Sequence, residues 1–222
     1  MIRKLLLGAL GALSVVGMAS AADLPVKGPV YKAPPPVFNW TGAYIGVAGG
    51  WAWGETRWTN AGGVTTGDFD TDGGLIGGTI GYNWQAPGSN WIWGIEADAS
   101  WADISGTTPV ACGTTCTSTV EWLATIRGRL GIAQSNWLFY ATGGVAFAGV
   151  NYTIPGTFDT TQTEVGWTVG AGVENALSRN WSWKLEYLFV SFDTSDVFFA
   201  PTGIVADFND IHIVRLGLNY RW

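Results

Sequence analysis

Few residues of this 222-residue chain have the types and spacing that chemistry needs. His212 is the only histidine, so no metal site with two or more imidazoles can be built. A lipid-hydrolysing barrel would set such a His beside a Ser and an acid. Asp210 is near in sequence, but Val214 stands where a His-x-Ser spacing would place the Ser. Haem ligation by His212 is a second reading, and a solvated histidine at an interface is the plainer one. Asp68, Asp70 and Asp72 before Gly73 resemble the opening of an EF-hand loop, yet the twelfth position is Thr79 instead of Glu. Cys112 and Cys116 form a local disulfide in preference to a metal pair, because two thiolates alone supply half of a tetrahedral site. No Gly-rich loop opens a helix, so a phosphate cradle is excluded. The expectation is no enzyme, no cofactor and no bound metal.

The elements that carry these residues read as strands. Five Asn-Trp pairs, at Trp40, Trp84, Trp91, Trp137 and Trp181, punctuate the chain. Four of them, at Trp40, Trp91, Trp137 and Trp181, open alternating apolar stretches at intervals suited to one β-hairpin each. Four hairpins give eight strands, with a Trp girdle at one end. Along each strand large apolar residues alternate with small or polar ones: Ile45, Val47, Trp51 and Trp53 against Gly46, Ala48, Gly50 and Ala52, for example. By this parity 12 of the 14 Trp share the apolar face (all but Trp40 and Trp58). The interior of an eight-stranded barrel holds only ordinary side chains, so the bulky face must point outward, into lipid. The fold class is therefore all-β: an eight-stranded antiparallel up-and-down transmembrane β-barrel.

The opposite face gathers charge. Glu96, Asp98, Glu121, Glu174 and Glu186 fall on the inward parity with Arg127, Arg129, Lys184, Arg215 and Arg221. Strands three and four lie opposite strands seven and eight, with Gly- and Ala-rich strands leaving room between them. Glu96 and Asp98 are expected to pair with Arg127 and Arg129, and Glu186 with Arg215, as a plug near mid-membrane.

Residues 1–21 have a basic start (Arg3, Lys4), an apolar stretch from Leu5 to Met18 and an Ala19-Ser20-Ala21 cleavage site, the pattern of a secretory signal peptide. Residues 22–38 hold Pro25, Pro29, Pro34, Pro35 and Pro36 and read as an extended periplasmic linker, and residues 39–222 as the barrel. Short connections at Gln85–Asn90, Ala133–Asn136 and Leu177–Asn180 mark the periplasmic end. The long stretches Gly54–Gly74, Ala102–Thr119, Asn151–Glu164 and Asp193–Ile211 read as extracellular loops.

At this level of detail the chain resembles the outer membrane immunogenic proteins of alphaproteobacteria, small eight-stranded barrels related to the OmpA-like transmembrane domain. The resemblance rests on Ala21-Ala22-Asp23-Leu24-Pro25 before a Pro-rich linker, on Asn39-Trp40-Thr41-Gly42-Ala43-Tyr44-Ile45-Gly46, and on Tyr140-Ala141-Thr142-Gly143-Gly144-Val145-Ala146. The ending, with Leu216, Leu218, Tyr220 and Trp222 alternating, looks like the C-terminal signal read by the barrel assembly machinery, with Trp where most such barrels end in Phe. It implies an outer-membrane location, envelope integrity and surface antigenicity, with a narrow porin or a surface haem or ligand binder as alternatives proposed for some relatives.

Without Arg3 and Lys4 the chain carries 9 bases against 17 acids, a net charge of −8. The four long loops hold Glu55, Asp68, Asp70, Asp72, Asp103, Asp159, Glu164, Asp193, Asp196, Asp207 and Asp210 against the single base Arg57. Such a face repels nucleic acid; recruitment of divalent cations alongside anionic lipopolysaccharide is one reading of it, and a solvated loop set is the plainer one. A monomer in contact with outer-membrane lipid is the expected state.

Overall fold

In the computed structural model the described residues are 38–59, 63, 65, 69–108, 116–154, 158–192, 197–199 and 204–222. They contain eight long strands and one short one: β1 Gly42–Thr59, β2 Phe69–Gln85, β3 Trp91–Thr108, β4 Cys116–Gln134, β5 Trp137–Ile154, β6 Phe158–Ala176, β7 Trp181–Phe192, β8 Val197–Phe199 and β9 Ile204–Arg221. Every neighbouring pair is antiparallel, and β1 pairs with both β2 and β9, so the sheet closes on itself. Closure leaves no sheet edge in the membrane band, as hydrocarbon requires. β8 adds three residues beside the outer part of β9.

Alternation decides which way each residue points. Val47, Ile76, Ile80, Trp101 and Ile126 stand exposed on the outer surface, the band that lipid covers. Their inward neighbours fill the lumen in layers. Toward the long connections an apolar cluster includes Leu75, Ile104, Val120, Leu123, Val150, Tyr152, Leu188 and Ile213. Toward the short turns a second apolar cluster holds Trp40, Ile92, Ala133, Leu138, Tyr140 and Ala176. Between them lies a layer of buried charges.

The short connections are tight. Ser89 N donates to Ala86 O at 3.0 Å with Gly88 at φ 74° in one turn, and Ser135 at φ 56° sits in the two-residue link between β4 and β5. The long connections differ from the sequence reading, because much of each is paired sheet. β5 and β6 stay in register out to Ile154↔Phe158, and β3 and β4 stay paired, past one register shift, out to Thr108↔Cys116. Eighteen residues at about 3.3 Å rise and about 40° tilt reach on the order of 45 Å along the axis, well beyond an apolar band of about 25 Å. The strands therefore continue past the membrane as a collar. Thr, Asn and Ser on these extensions satisfy the β pattern without the apolar face that marks a membrane strand.

Irregularities mark the start of that collar. The register shifts between Trp101 and Ile104 in the β3–β4 pairing, between Val120 and Trp122 in β4–β5, and between Gly54 and Thr56 in β1–β9. These are β-bulges, and the one in β4 resets which residues face inward: Ser118 and Val120 are buried before it, Leu123 and Thr125 after it.

Candidate functional site

The charged layer is assembled from strands on opposite sides of the lumen. β3 supplies Glu96 and Asp98, β4 Arg127 and Arg129, β6 Glu174, β7 Lys184 and Glu186, and β9 Arg215 and Arg221; all nine are buried. Two of the pairs are direct cross-strand neighbours, Glu96↔Arg127 and Glu186↔Arg215.

Glu96 is the hub. It accepts from Arg127, from Lys184 Nζ at 2.9 and 3.0 Å to its two oxygens, and from the Tyr44 hydroxyl at 2.7 Å. Arg129 lies 3.5 Å and Arg215 3.8 Å from it. Glu186 joins Arg127 at 3.0 Å and Arg215 at 2.7 Å, and receives the Tyr140 hydroxyl at 3.1 Å. Asp98 is held by Arg215 and by the Thr125 hydroxyl, with Arg127 at 3.5 Å. Lys184 has Glu174 as its register neighbour across β6–β7, yet its ammonium crosses the lumen to Glu96. Room for that stem comes from Gly217, where a Cβ would stand 3.1 Å from Lys184 Cγ and 3.2 Å from Cε.

A second group lies toward the short turns. Glu174 receives Arg129 at 2.8 Å, Ser182 at 2.6 Å and Asn219 at 3.2 Å, with Arg221 at 3.5 Å. The Arg129 guanidinium carbon sits 3.8 Å from the Tyr140 ring centre and 5.7 Å from that of Tyr44. Tyr44, Tyr140, Thr125, Ser182 and Asn219 are thus part of the constellation. The signal that could have found them is their inward parity among glycines and alanines, the same criterion that selected the charges.

Glu121 is a correction. It was expected inside, but it is exposed on the outer surface, and its neighbour Val120, expected outside, is fully buried. The bulge at Val120/Trp122 shifts the alternation by one residue at that height, which an unbroken parity count cannot register. Trp40 departs from the girdle as well. It precedes β1 and is fully buried in the turn-end mouth of the lumen, its backbone N–H donating to Gln85 Oε1 at 2.9 Å. Glu164, counted among the surface acids, is buried.

The remaining candidates are placed as follows. His212 is on the outer face, its Nδ1 hydrogen-bonded to the Tyr187 hydroxyl at 2.7 Å, and its ring is 5.8 Å from Trp53 and 5.3 Å from Phe189. Asp70 and Asp72 lie in strand β2 opposite Glu55 and Trp53, in extended sheet, and Asp68 lies outside the described residues. Cys112 lies outside the described residues, and Cys116 opens β4 with only its backbone described. Leu216, Leu218 and Tyr220 face outward in line, and Trp222 is exposed beyond the end of β9. Trp181 and Tyr220 rings meet at 5.1 Å, and Trp84 and Trp93 at 4.7 Å, in the turn-end girdle.

Comparison with known proteins agrees with this architecture. The 31 kDa outer-membrane immunogenic protein of Brucella melitensis is 32% identical over 227 residues, covering 92% of this chain and 93% of the relative. The 22 kDa outer membrane protein of Rhizobium leguminosarum is 30% identical, covering 91% of this chain and 83% of that protein. The crystal structure of Neisserial surface protein A aligns with a TM-score of 0.49 at 13% identity over 82% of this chain and 98% of that one. The sequence pattern of the outer membrane protein beta-barrel domain matches residues 8–221. An alternating chain that closes into eight membrane-length strands, with relatives named for the outer membrane, belongs to the outer membrane β-barrel protein family.

Proposed function

We propose that this chain is a non-conducting structural barrel that contributes to envelope integrity and presents an acidic, antigenic collar at the cell surface. One observation carries the reading: the charged layer bridges β3 and β4 to β7 and β9, across the lumen, between two apolar clusters. Lys184 to Glu96 and Arg215 to Asp98 cross the space a solute would need. Each strand-to-strand link restrains the wall, because breaking one leaves a charge buried without its partner. The chain functions without catalysis. His212 is engaged by Tyr187 and packed among aromatic rings, which favours an interfacial role over that of a base or ligand. Its partners are outer-membrane lipid, lipopolysaccharide and the barrel assembly machinery, and it acts as a monomer after removal of residues 1–21.

The test is single-channel recording in planar bilayers. The wild-type chain should give no stable porin-scale steps, and Arg127→Ala should introduce noisy or stepwise conductance. A stable wild-type channel would overturn the plugged reading and leave a narrow pore in its place.

A further inference from the structure

The charged layer balances unevenly along the barrel axis. Toward mid-lumen, Arg127, Lys184 and Arg215 meet Glu96, Asp98 and Glu186, three against three. Toward the short turns, Arg129 and Arg221 meet at Glu174, and Arg129 reaches back to Glu96 only at 3.5 Å. That end holds one buried positive charge more than its carboxylate can neutralise.

The surplus falls on Arg221. Glu174 is already taken by Arg129, Ser182 and Asn219, and approaches Arg221 only to 3.5 Å. Nε, Nη1 and Nη2 of Arg221 are all buried without a hydrogen-bond partner. A guanidinium cannot shed its proton to escape this, and a buried charge without a counter-charge is costly. Other polar atoms nearby are in the same condition. Trp40 Nε1 and both amide atoms of Asn83, Nδ2 and Oδ1, are buried and unpartnered, on residues that are themselves fully buried. The Arg221 guanidinium carbon lies 4.7 Å from the Trp40 ring centre and 5.9 Å from that of Tyr44. Asn83 is paired with Gly42 across β1–β2, while Tyr44, two residues along, is paired with Arg221 across β1–β9. The mouth is therefore rich in donors and net positive.

We propose that the turn-end mouth of the lumen is a binding site for a small inorganic anion of chloride size, held by Arg221 with the indole N–H of Trp40 and the amide of Asn83. Phe38, Trp40 and Tyr44 surround the guanidinium with aromatic rings and exclude bulky or organic anions. Trp40 also serves as the stopper. Its segment is fastened by Trp40 N to Gln85 Oε1, by Gln85 N to Thr41 Oγ1 at 3.0 Å, and by Thr41 Oγ1 to Gln85 O at 3.3 Å. Exchange of the anion requires that segment to lift. The site is blind, because the balanced network closes it from above.

The experiment uses the mature chain refolded in detergent micelles, with sodium chloride exchanged for sodium gluconate at constant ionic strength. Thermal midpoints are read from heat-modifiable gel mobility, and binding from the chloride NMR line width. Chloride should raise the wild-type midpoint saturably and gluconate should not. Arg221→Gln should lose the chloride response while matching or exceeding the wild type in gluconate, since it removes an unbalanced charge. Trp40→Phe, which keeps the ring and removes one donor, should weaken chloride binding by about fivefold, the worth of one net hydrogen bond. Glu174→Gln should tighten it. Equal wild-type midpoints in chloride and gluconate, or an undiminished chloride response in Arg221→Gln, would overturn the site. If Arg221→Gln does not assemble, chloride affinity unmoved by both Trp40→Phe and Glu174→Gln overturns it equally.

Discussion

Replacing Glu96 by Gln isolates the energetic role of the network, because the substitution keeps the shape and removes the charge. In the native barrel Glu96 accepts from Arg127, Lys184 and Tyr44, with Arg129 and Arg215 within 4 Å. Arg127 retains Glu186, Arg129 retains Glu174 and Arg215 retains Asp98 and Glu186. Lys184 is different: both of its hydrogen bonds run to Glu96. Glu96→Gln therefore strands one ammonium, fully buried, in a cluster that is otherwise neutral. Breaking a buried pair in this way costs about 3 to 5 kcal/mol. Lys184→Met alone should cost less, because Glu96 keeps Arg127 and Arg129. Removing both partners restores neutrality with side chains of similar volume, and such replacements are often near neutral, so Glu96→Gln with Lys184→Met should return to within about 1 kcal/mol of the wild type. The coupling energy, the two single costs less that of the double, is then at least on the order of 2 to 4 kcal/mol. Urea unfolding from lipid vesicles, followed by tryptophan emission, measures all four proteins, since most of the indoles face lipid and report insertion. Additive single and double mutants, or a Glu96→Gln cost near zero, would refute the reasoning.

Two further outcomes are expected. Deleting Trp222, which is exposed beyond the last strand and buries nothing in the lumen, should leave the chain in the periplasm or degraded; normal outer-membrane levels of the deletion would contradict its role as an assembly signal. Cys112 and Cys116 should resist alkylation in native membranes until reduced, and since they close a very short loop, reduction should lower stability by less than the roughly 3 kcal/mol of a 15-residue loop.

The fold was legible because its two controlling signals are local. Alternation assigns each residue a face, and the Asn-Trp spacing counts the hairpins. Volume then chooses which face meets lipid. What escaped the sequence is what breaks periodicity. Glu121 and Val120 exchange faces at a bulge that costs one residue and leaves no compositional mark. Trp40 carries the same Asn-Trp signature as the girdle residues, but it precedes β1, so no strand parity applies to it and it turns into the lumen mouth. The extensions of β3 to β6 read as loops because Thr and Asn lack an apolar face, although their backbones stay paired out to Thr108↔Cys116 and Ile154↔Phe158. At the site, the membership of the inward set follows from parity, whereas the choice of partner does not. Lys184 passes over its register neighbour Glu174 for Glu96, 88 residues away, and only the girth of the closed barrel sets that reach.

The bulges at the foot of the collar carry a consequence for how such a chain can change over generations. Alternation within the membrane band is unforgiving, since one inserted residue would turn every later side chain of that strand to the wrong solvent. In β4 the phase has already been reset between Val120 and Trp122, so a residue gained or lost above that bulge can be absorbed before it reaches the lipid-covered stretch. The barrel thus behaves as a fixed trunk bearing an exchangeable crown, and a crown grafted from another barrel above the bulges should inherit the trunk's insertion without altering it.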